Sequence, residues 1–338
     1  MSTNIKTMNL NIKTIGSNTV RIISKQKAVI AIGVMLLVML YQGPYFYNPR
    51  NIINILVTAT PHLIVAFGVT LVVICRACDL SVGSVMALSG IICVQLINSG
   101  MNMYLAILLA ILSGAVVGFI NGFLVVQQKT EAFIITLGMG MLVKGVALLL
   151  TDANPVPVDR TLSEGFMAVS SNIFIRVLGF NIPNIVVFMI VIGIITYCFM
   201  RFTSFGRNCY ALGGDYEVAE HSGINVVRTK WTAFVITGTY AAIAGVLLAS
   251  DMNSGSPIIG DATPLFVNCA VVIGGTSFAG GVGGPGFSFL GIMVMEILKN
   301  GMNVFGINRF IQTMILGIVI VSIIALDCYA IKRKKEDV

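Results

Sequence analysis

Few side chains in this sequence have a type and spacing that could do chemistry, and each set falls short of a reaction. Cys75 and Cys78 form a Cys-x-x-Cys that would suit a redox pair or half a zinc site. No second pair, nearby histidine or thioredoxin-like context accompanies it, so packing at a helix end is the plainer reading. Cys93, Cys198, Cys209, Cys269 and Cys328 stand singly in or beside apolar runs, where cysteine behaves as a small hydrophobe. Gly274, Gly275, Gly280, Gly281, Gly283, Gly284 and Gly286, with Pro285, have the composition of a phosphate-cradling loop. They lack the Lys followed by Ser or Thr that grips phosphate and magnesium, and a tight connection between two short membrane helices accounts for them. No ATP site, catalytic residue or metal site is therefore expected on this chain.

A second group of polar residues interrupts apolar runs. Lys144 and Glu296 lie deepest, each costly unless it faces a partner or a cavity. Lys144 can instead snorkel, and Glu296 has Lys299 and Asn300 beside it at a helix end. Arg76 and Asp79 break an apolar stretch from Ile53 to Ile97. Either the chain turns outside the membrane there, or a helix is broken at membrane depth, with Asp79 capping a half-helix and Ser81 and Ser84 exposed to a water-filled path. Asn121 could bond across helices or face a pathway; Thr136 and Asn268 join these residues as candidate pathway lining. No chain of carboxylates suited to proton relay is visible.

The largest polar feature is the insert Arg201–Lys230, mixed in charge and punctuated by glycine. Gly213 and Gly214 break the chain, Asp215 is a good N-cap, Glu217 and Glu220 follow, and Gly223 can end a helix of about two turns. Acidic groups in its first turn suit the helix dipole. So short a helix is marginal alone in water and must be stabilised by docking. Gly214→Pro or Glu217→Lys is expected to spare membrane insertion but uncouple whatever the docking drives.

The elements that must position these residues are membrane helices. The 338 residues are 57% hydrophobic and 10% charged, with 35 glycines and a mean hydropathy of +0.93, which excludes an ordinary soluble domain. Apolar segments fall near 28–46, 53–75, 80–97, 103–126, 132–150, 185–200, 231–249, 262–275, 286–298 and 310–329, the eighth and ninth short enough for half-helices. This predicts an all-α polytopic protein of about ten spans, with eight as the competing count. A basic tail occupies 1–27, one transmembrane domain 28–329 and a basic tail 330–338; 151–184 is the largest external piece. The net charge of +7 resides largely in the tails, with Arg76, Lys129, Arg201, Arg207, Arg228 and Lys230 on the same side. That asymmetry puts both termini in the cytoplasm and offers nothing to nucleic acid. Gly114, Gly118 and Gly122 form a small-residue ladder for close helix packing.

Four strings, in order, carry a family resemblance. Asp79-Leu80-Ser81-Val82-Gly83, Ala132-Phe133-Ile134-Ile135-Thr136-Leu137-Gly138, the insert's Phe205-Gly206-Arg207, Tyr210-Ala211, Gly213-Gly214, Ala219 and Ser222-Gly223-Ile224, and Ala270–Thr276 resemble the ribose-type (monosaccharide) ABC importer permeases over roughly 50–328. An Asn-Gly, Asn121-Gly122, stands before the second string as in that family. Glu131 replaces a usual proline, Asp215 a common asparagine, and Glu296 lies in a normally apolar stretch.

The resemblance implies an inner-membrane permease subunit, not an enzyme. It implies a second permease copy, identical or related, a cytoplasmic ATP-binding subunit carrying ATP and magnesium, and an external solute-binding protein meeting 151–184 near Pro155, Pro157, Asp159, Arg160 and Glu164, with membrane lipid around the whole. Phe205, Gly206, Arg207, Tyr210, Gly213, Gly214, Asp215, Glu217, Ala219, Ser222 and Gly223 would couple to the ATPase. Ribose, xylose, galactose, allose, a furanose and autoinducer-2 all remain open as cargo. An ion-coupled carrier or a facilitative channel is the alternative; sparse intramembrane charge and the large insert count against the carrier, and a channel leaves the insert without a purpose.

Overall fold

Long apolar runs bounded by caps set the helices. The computed structural model describes Gly33 and residues 43–127, 130–177 and 180–336. The tail 1–27, most of the first apolar segment 28–46 and Lys129 lie outside the described residues. After a single turn, α1 (Gly43–Phe46), Asn48 caps α2 (Pro49–Ile74), its side chain accepting from the Arg50 N–H at 2.9 Å. Then come α3 (Val82–Asn98), α4 (Met103–Gln127) and α5 (Ala132–Thr151). Five helices among the described residues are long and apolar enough to cross a membrane: α2, α4, α5, α7 (Asn184–Phe202) and α10 (Val226–Met252).

The segment between α5 and α7 forms one end of the bundle. It holds β1 (Val156–Pro157), α6 (Arg160–Ser171) and the antiparallel hairpin of β2 (Ile173–Val177) and β3 (Phe180–Pro183). β1 pairs with β4 (Ser254–Gly255), just after α10, and the Ser250 hydroxyl donates to the Phe166 carbonyl at 2.6 Å. At the opposite end lie α8 (Ser204–Gly214) and α9 (Tyr216–His221), followed by α10.

α2 and α10 are the interior of the bundle, buried over 83% and 61% of their membrane-crossing windows, against 28%, 22% and 33% for α4, α5 and α7. α4 runs antiparallel to α10 along the glycine ladder. A Cβ on Gly114 would lie 2.5 Å from the Gly238 carbonyl oxygen, one on Gly118 2.4 Å from that of Phe234, and one on Gly122 2.3 Å from Trp231 Cδ1. Only hydrogen at these positions lets the backbones approach so closely.

After β4 the chain is irregular to Ala262, and α11 (Thr263–Gly274) is a short helix. The glycine-rich connection that follows uses left-handed φ values at Gly280 and Gly281, +82° and +70°. α12 (Pro285–Val304) runs past 298, where Lys299 and Asn300 read as a helix end in the sequence. The reason is a partner on α2: the Asn300 and Asn51 amides bond reciprocally at 2.9 and 3.0 Å, and Glu296 Oε1 lies 2.8 Å from His62 Nδ1. α13 (Arg309–Glu336) continues beyond the expected limit of 329 into the basic tail.

Glu296 is 2% exposed, so removing its partner strands a buried carboxyl. His62→Leu is expected to destabilise the detergent-solubilised protein by roughly 3 kcal/mol, whereas the double replacement His62→Leu/Glu296→Leu returns most of that loss. Thermal melts of the two variants beside the parent check this.

Candidate functional site

The insert folds as two helices. Thr203 caps α8, its hydroxyl accepting from the Gly206 N–H at 3.4 Å, and the Phe205 ring stacks on Phe199 with centroids 4.9 Å apart. Gly206, Cys209, Leu212 and Gly213 form the buried face of α8. At Gly206 the chain doubles back so tightly that a Cβ would meet the Met200 carbonyl oxygen at 2.0 Å. The sequence signalled only the second helix, because Gly213 and Gly214 read as breakers; the spacing of the buried stripe was the missed signal.

Asp215 leaves the helical conformation and caps α9, Oδ1 accepting from the Val218 N–H at 3.0 Å. Gly223, φ +80°, ends the motif, and Asn225 caps α10 by accepting from the Arg228 N–H at 2.8 Å. Within α9 only Ala219 is buried; Tyr216, Glu217, Val218, Glu220 and His221 are exposed. α9 thus projects from the bundle end on a single anchoring side chain.

α8 is fastened to the interior helix α2. Arg76 donates from Nε to the Gly213 carbonyl at 2.8 Å and from Nη2 to that of Gly214 at 2.5 Å. The Gly281 N–H donates to the Ile74 carbonyl at 3.0 Å, and Gly213 is wedged between them: its Cβ would lie 1.9 Å from Ile74 O and 2.3 Å from Gly281 N. The Tyr210 hydroxyl donates to the Gly283 carbonyl at 2.9 Å. Burial pushes that phenol above its ordinary value. In the sequence Arg76 marks a break in the apolar stretch and a cytoplasmic charge, with nothing to name its partners; its left-handed φ of +55° aims it at α8.

Cys75 is buried beside Cys209, whose thiol is pushed up by its hydrogen bond with Cys75 and by burial. Both are free, buried thiols, so this pairing serves packing. Among the described residues no group of three His, Cys, Asp or Glu side chains is arranged to hold a metal ion.

Five of the six residues proposed to line a pathway meet in one buried knot. Asp79 Oδ1 accepts from the Ser81 N–H at 2.8 Å and the Ser81 hydroxyl at 2.6 Å. Asn121 on α4 donates to Ser81 Oγ at 2.8 Å, the Leu80 N–H donates to Thr136 Oγ1 at 3.1 Å, and Asn268 on α11 donates to the Asp79 carbonyl at 3.2 Å. All five are buried, and the knot ties the start of α3 to α4, α5 and α11. Asn268 also borders a cavity of about 320 Å³, and Ser84 opens on a separate one of about 410 Å³. That cavity also exposes a pair invisible to sequence reading, Lys144 on α5 and Asp261 before α11.

Comparison with known proteins places these features in a wider group. The family described as "Branched-chain amino acid transport system / permease component" matches residues 51–324. The ribose import permease protein RbsC of Bacillus subtilis (strain 168) is 35% identical over 307 residues, 90% of this chain and 92% of that protein. The D-allose transport system permease protein AlsC of Escherichia coli (strain K12) is 32% identical over 84% of this chain and 85% of its own. The L-arabinose transport system permease protein AraH of the same strain is 32% identical over 76% of each. No solved structure matches.

Proposed function

This chain belongs to the branched-chain amino acid transport system / permease component family, and we propose that it is the membrane-spanning permease subunit of an ATP-driven, binding-protein-dependent importer of a monosaccharide or sugar-like solute in a bacterial cytoplasmic membrane. Relatives named for ribose, allose and arabinose support the cargo class. The observation that carries the coupling role is the fastening of α8 to α2 by Arg76 and Gly213.

In this reading α9 sits in a groove of a cytoplasmic ATP-binding subunit that holds ATP and magnesium, its exposed Tyr216, Glu217 and Val218 forming the contact. Closure of two such subunits displaces α9 and α8 together. Arg76 and Gly213 pass that displacement to α2, and Tyr210 passes it to the glycine-rich connection before α12. Because α2 lies inside the bundle, moving its end rocks the packed helices as bodies and exchanges outward-open for inward-open arrangements. A second permease copy, identical or related, completes the passage. α6 and the β2–β3 hairpin receive the external binding protein, and both termini are cytoplasmic in a total of about ten spans.

The test is uptake of radiolabelled D-ribose, D-allose and L-arabinose by proteoliposomes containing permease, ATP-binding subunit and binding protein. Uptake is expected to require ATP and to stop when the ATP-binding subunit is left out. Accumulation against a gradient by this chain alone would contradict the reading and favour an ion-coupled carrier. In the same assay Arg76→Met, which removes two charge-assisted hydrogen bonds, is expected to lower uptake about tenfold while the permease still co-purifies with its ATP-binding subunit.

A further inference from the structure

Two linked features of the α5 face, an ion pair and the irregular backbone that carries one of its members, point to water there. The first is the ion pair. Lys144 donates to the Pro257 carbonyl at 2.6 Å and pairs with Asp261, whose side chain is 59% exposed. A carboxylate so open cannot rest against hydrocarbon. The second is the backbone between β4 and α11. Gly255 packs on Ile91, and Gly260 so close to Gly83 that a Cβ on Gly83 would lie 2.1 Å from the Gly260 carbonyl oxygen. The irregular stretch therefore descends beside α3 within the bundle, over roughly 12 Å at 1.5 Å per helical residue. Non-helical backbone at membrane depth is tolerated only when buried in protein or lining a water-filled cavity.

Both features open on the cavity of about 410 Å³ that Ser84 also lines, a volume at the small end of ligand pockets. Its chemistry is specific. Lys144 supplies donors, Asp261 acceptors and Ser84 a hydroxyl, while Phe133, Leu137 and Met141 supply apolar surface. The opposite charges cancel, so an anionic solute gains nothing from Lys144 that it does not lose to Asp261. Hydroxyls bond well to both, and the C–H face of a sugar ring suits the aromatic and thioether surface.

Resting on the permease reading, we propose that this cavity holds a neutral polyhydroxylated solute in transit, with Lys144, Asp261 and Ser84 as its polar contacts. The buried knot around Asp79 then braces the start of α3 behind the cavity instead of touching the solute.

The test uses the complete transporter carrying Ser84→Cys, treated with the membrane-impermeant reagent 2-sulfonatoethyl methanethiosulfonate and read by mass spectrometry of the peptide that contains the introduced thiol. Labelling is expected, slowed at least fivefold by whichever of D-ribose, D-allose or L-arabinose the transporter takes up. Asp261→Asn is expected to reduce uptake about tenfold at saturating loaded binding protein. Absence of labelling in every nucleotide state while wild-type uptake proceeds would overturn the site, since lipid would then fill the cavity; labelling with no protection by a transported sugar also overturns it. If the wild-type complex takes up none of these sugars, the permease reading for them falls and the site with it, a result that the uptake control separates from failure of the site alone.

Discussion

Replacing Gly213 by alanine is expected to reduce ATP-driven uptake at least a hundredfold while leaving the permease in the membrane. The added methyl would sit 1.9 Å from the Ile74 carbonyl oxygen and 2.3 Å from the Gly281 nitrogen, and both neighbours are backbone. Neither can yield without breaking the 3.0 Å hydrogen bond between them. α8 must lift instead, which pulls the Gly213 and Gly214 carbonyls from Arg76. Overpacking of this kind costs about 1–3 kcal/mol, and a loss near 2.7 kcal/mol in the driven step corresponds to about a hundredfold in rate. Gly214, with no atom within 4 Å of a built Cβ, is the control: Gly214→Ala is expected to transport like the parent. Uptake by reconstituted complexes of the two variants, normalised to membrane content, checks the contrast.

The second large effect falls on folding. Gly118→Leu is expected to leave almost no folded permease, seen as loss of the monodisperse peak in fluorescence-detected size exclusion. α4 against α10 is the most extensive helix pair among the described residues. A Cβ on Gly118 would already lie 2.4 Å from the Phe234 carbonyl oxygen and 3.1 Å from Val235 Cα, before any of the remaining leucine is placed. Gly238 answers from the other helix, its Cβ 2.3 Å from the Gly114 carbonyl oxygen, so the helices cannot slide past the obstruction. Separating them also withdraws Asn121 from Ser81. The cost exceeds about 3 kcal/mol, beyond the usual range for a single change. Gly145→Ala on the exposed face of α5, where nothing lies within 4 Å, is expected to have no such effect.

Much of this architecture is written in local sequence, because a membrane helix must satisfy its own backbone over a fixed length of apolar residues. The runs at 53–75, 103–126, 132–150 and 185–200 stop within a few residues of the ends of α2, α4, α5 and α7 for that reason. Asp215 and Gly223 mark the two ends of α9 because capping is decided by residues next to one another. What stayed hidden depends on partners far apart in the chain. Glu296 looked like a charge at a helix end until His62, on another helix, came beside it. Lys144 read as a snorkelling lysine because nothing near it announces Asp261. The irregular path from Ser256 to Ala262 follows from packing against Gly83 and Ile91, which no propensity scale records.

The candidate site divides along the same line. Motif strings and breaks in apolar runs mark Asp79, Ser81, Ser84, Asn121 and Thr136, and Asn268 stands just before the last string, but sequence position carries no information about which side chain faces a cavity. Ser84, one helical turn or less beyond Ser81, is turned outward, while the other five bond into the buried knot, Asn268 at its edge on a second cavity. The hold of Arg76 on α8 is not legible locally because its two acceptors are backbone carbonyls of glycines, which have no side-chain signature.

The most direct measurement is a photo-cross-link from α9 in the working transporter. Val218, 62% exposed on that helix, is replaced by p-benzoylphenylalanine and the complex is irradiated with and without ATP. An adduct with the ATP-binding subunit is expected, its yield changing with nucleotide. Absence of that adduct in a complex that still drives sugar uptake with ATP would contradict the coupling role of α9.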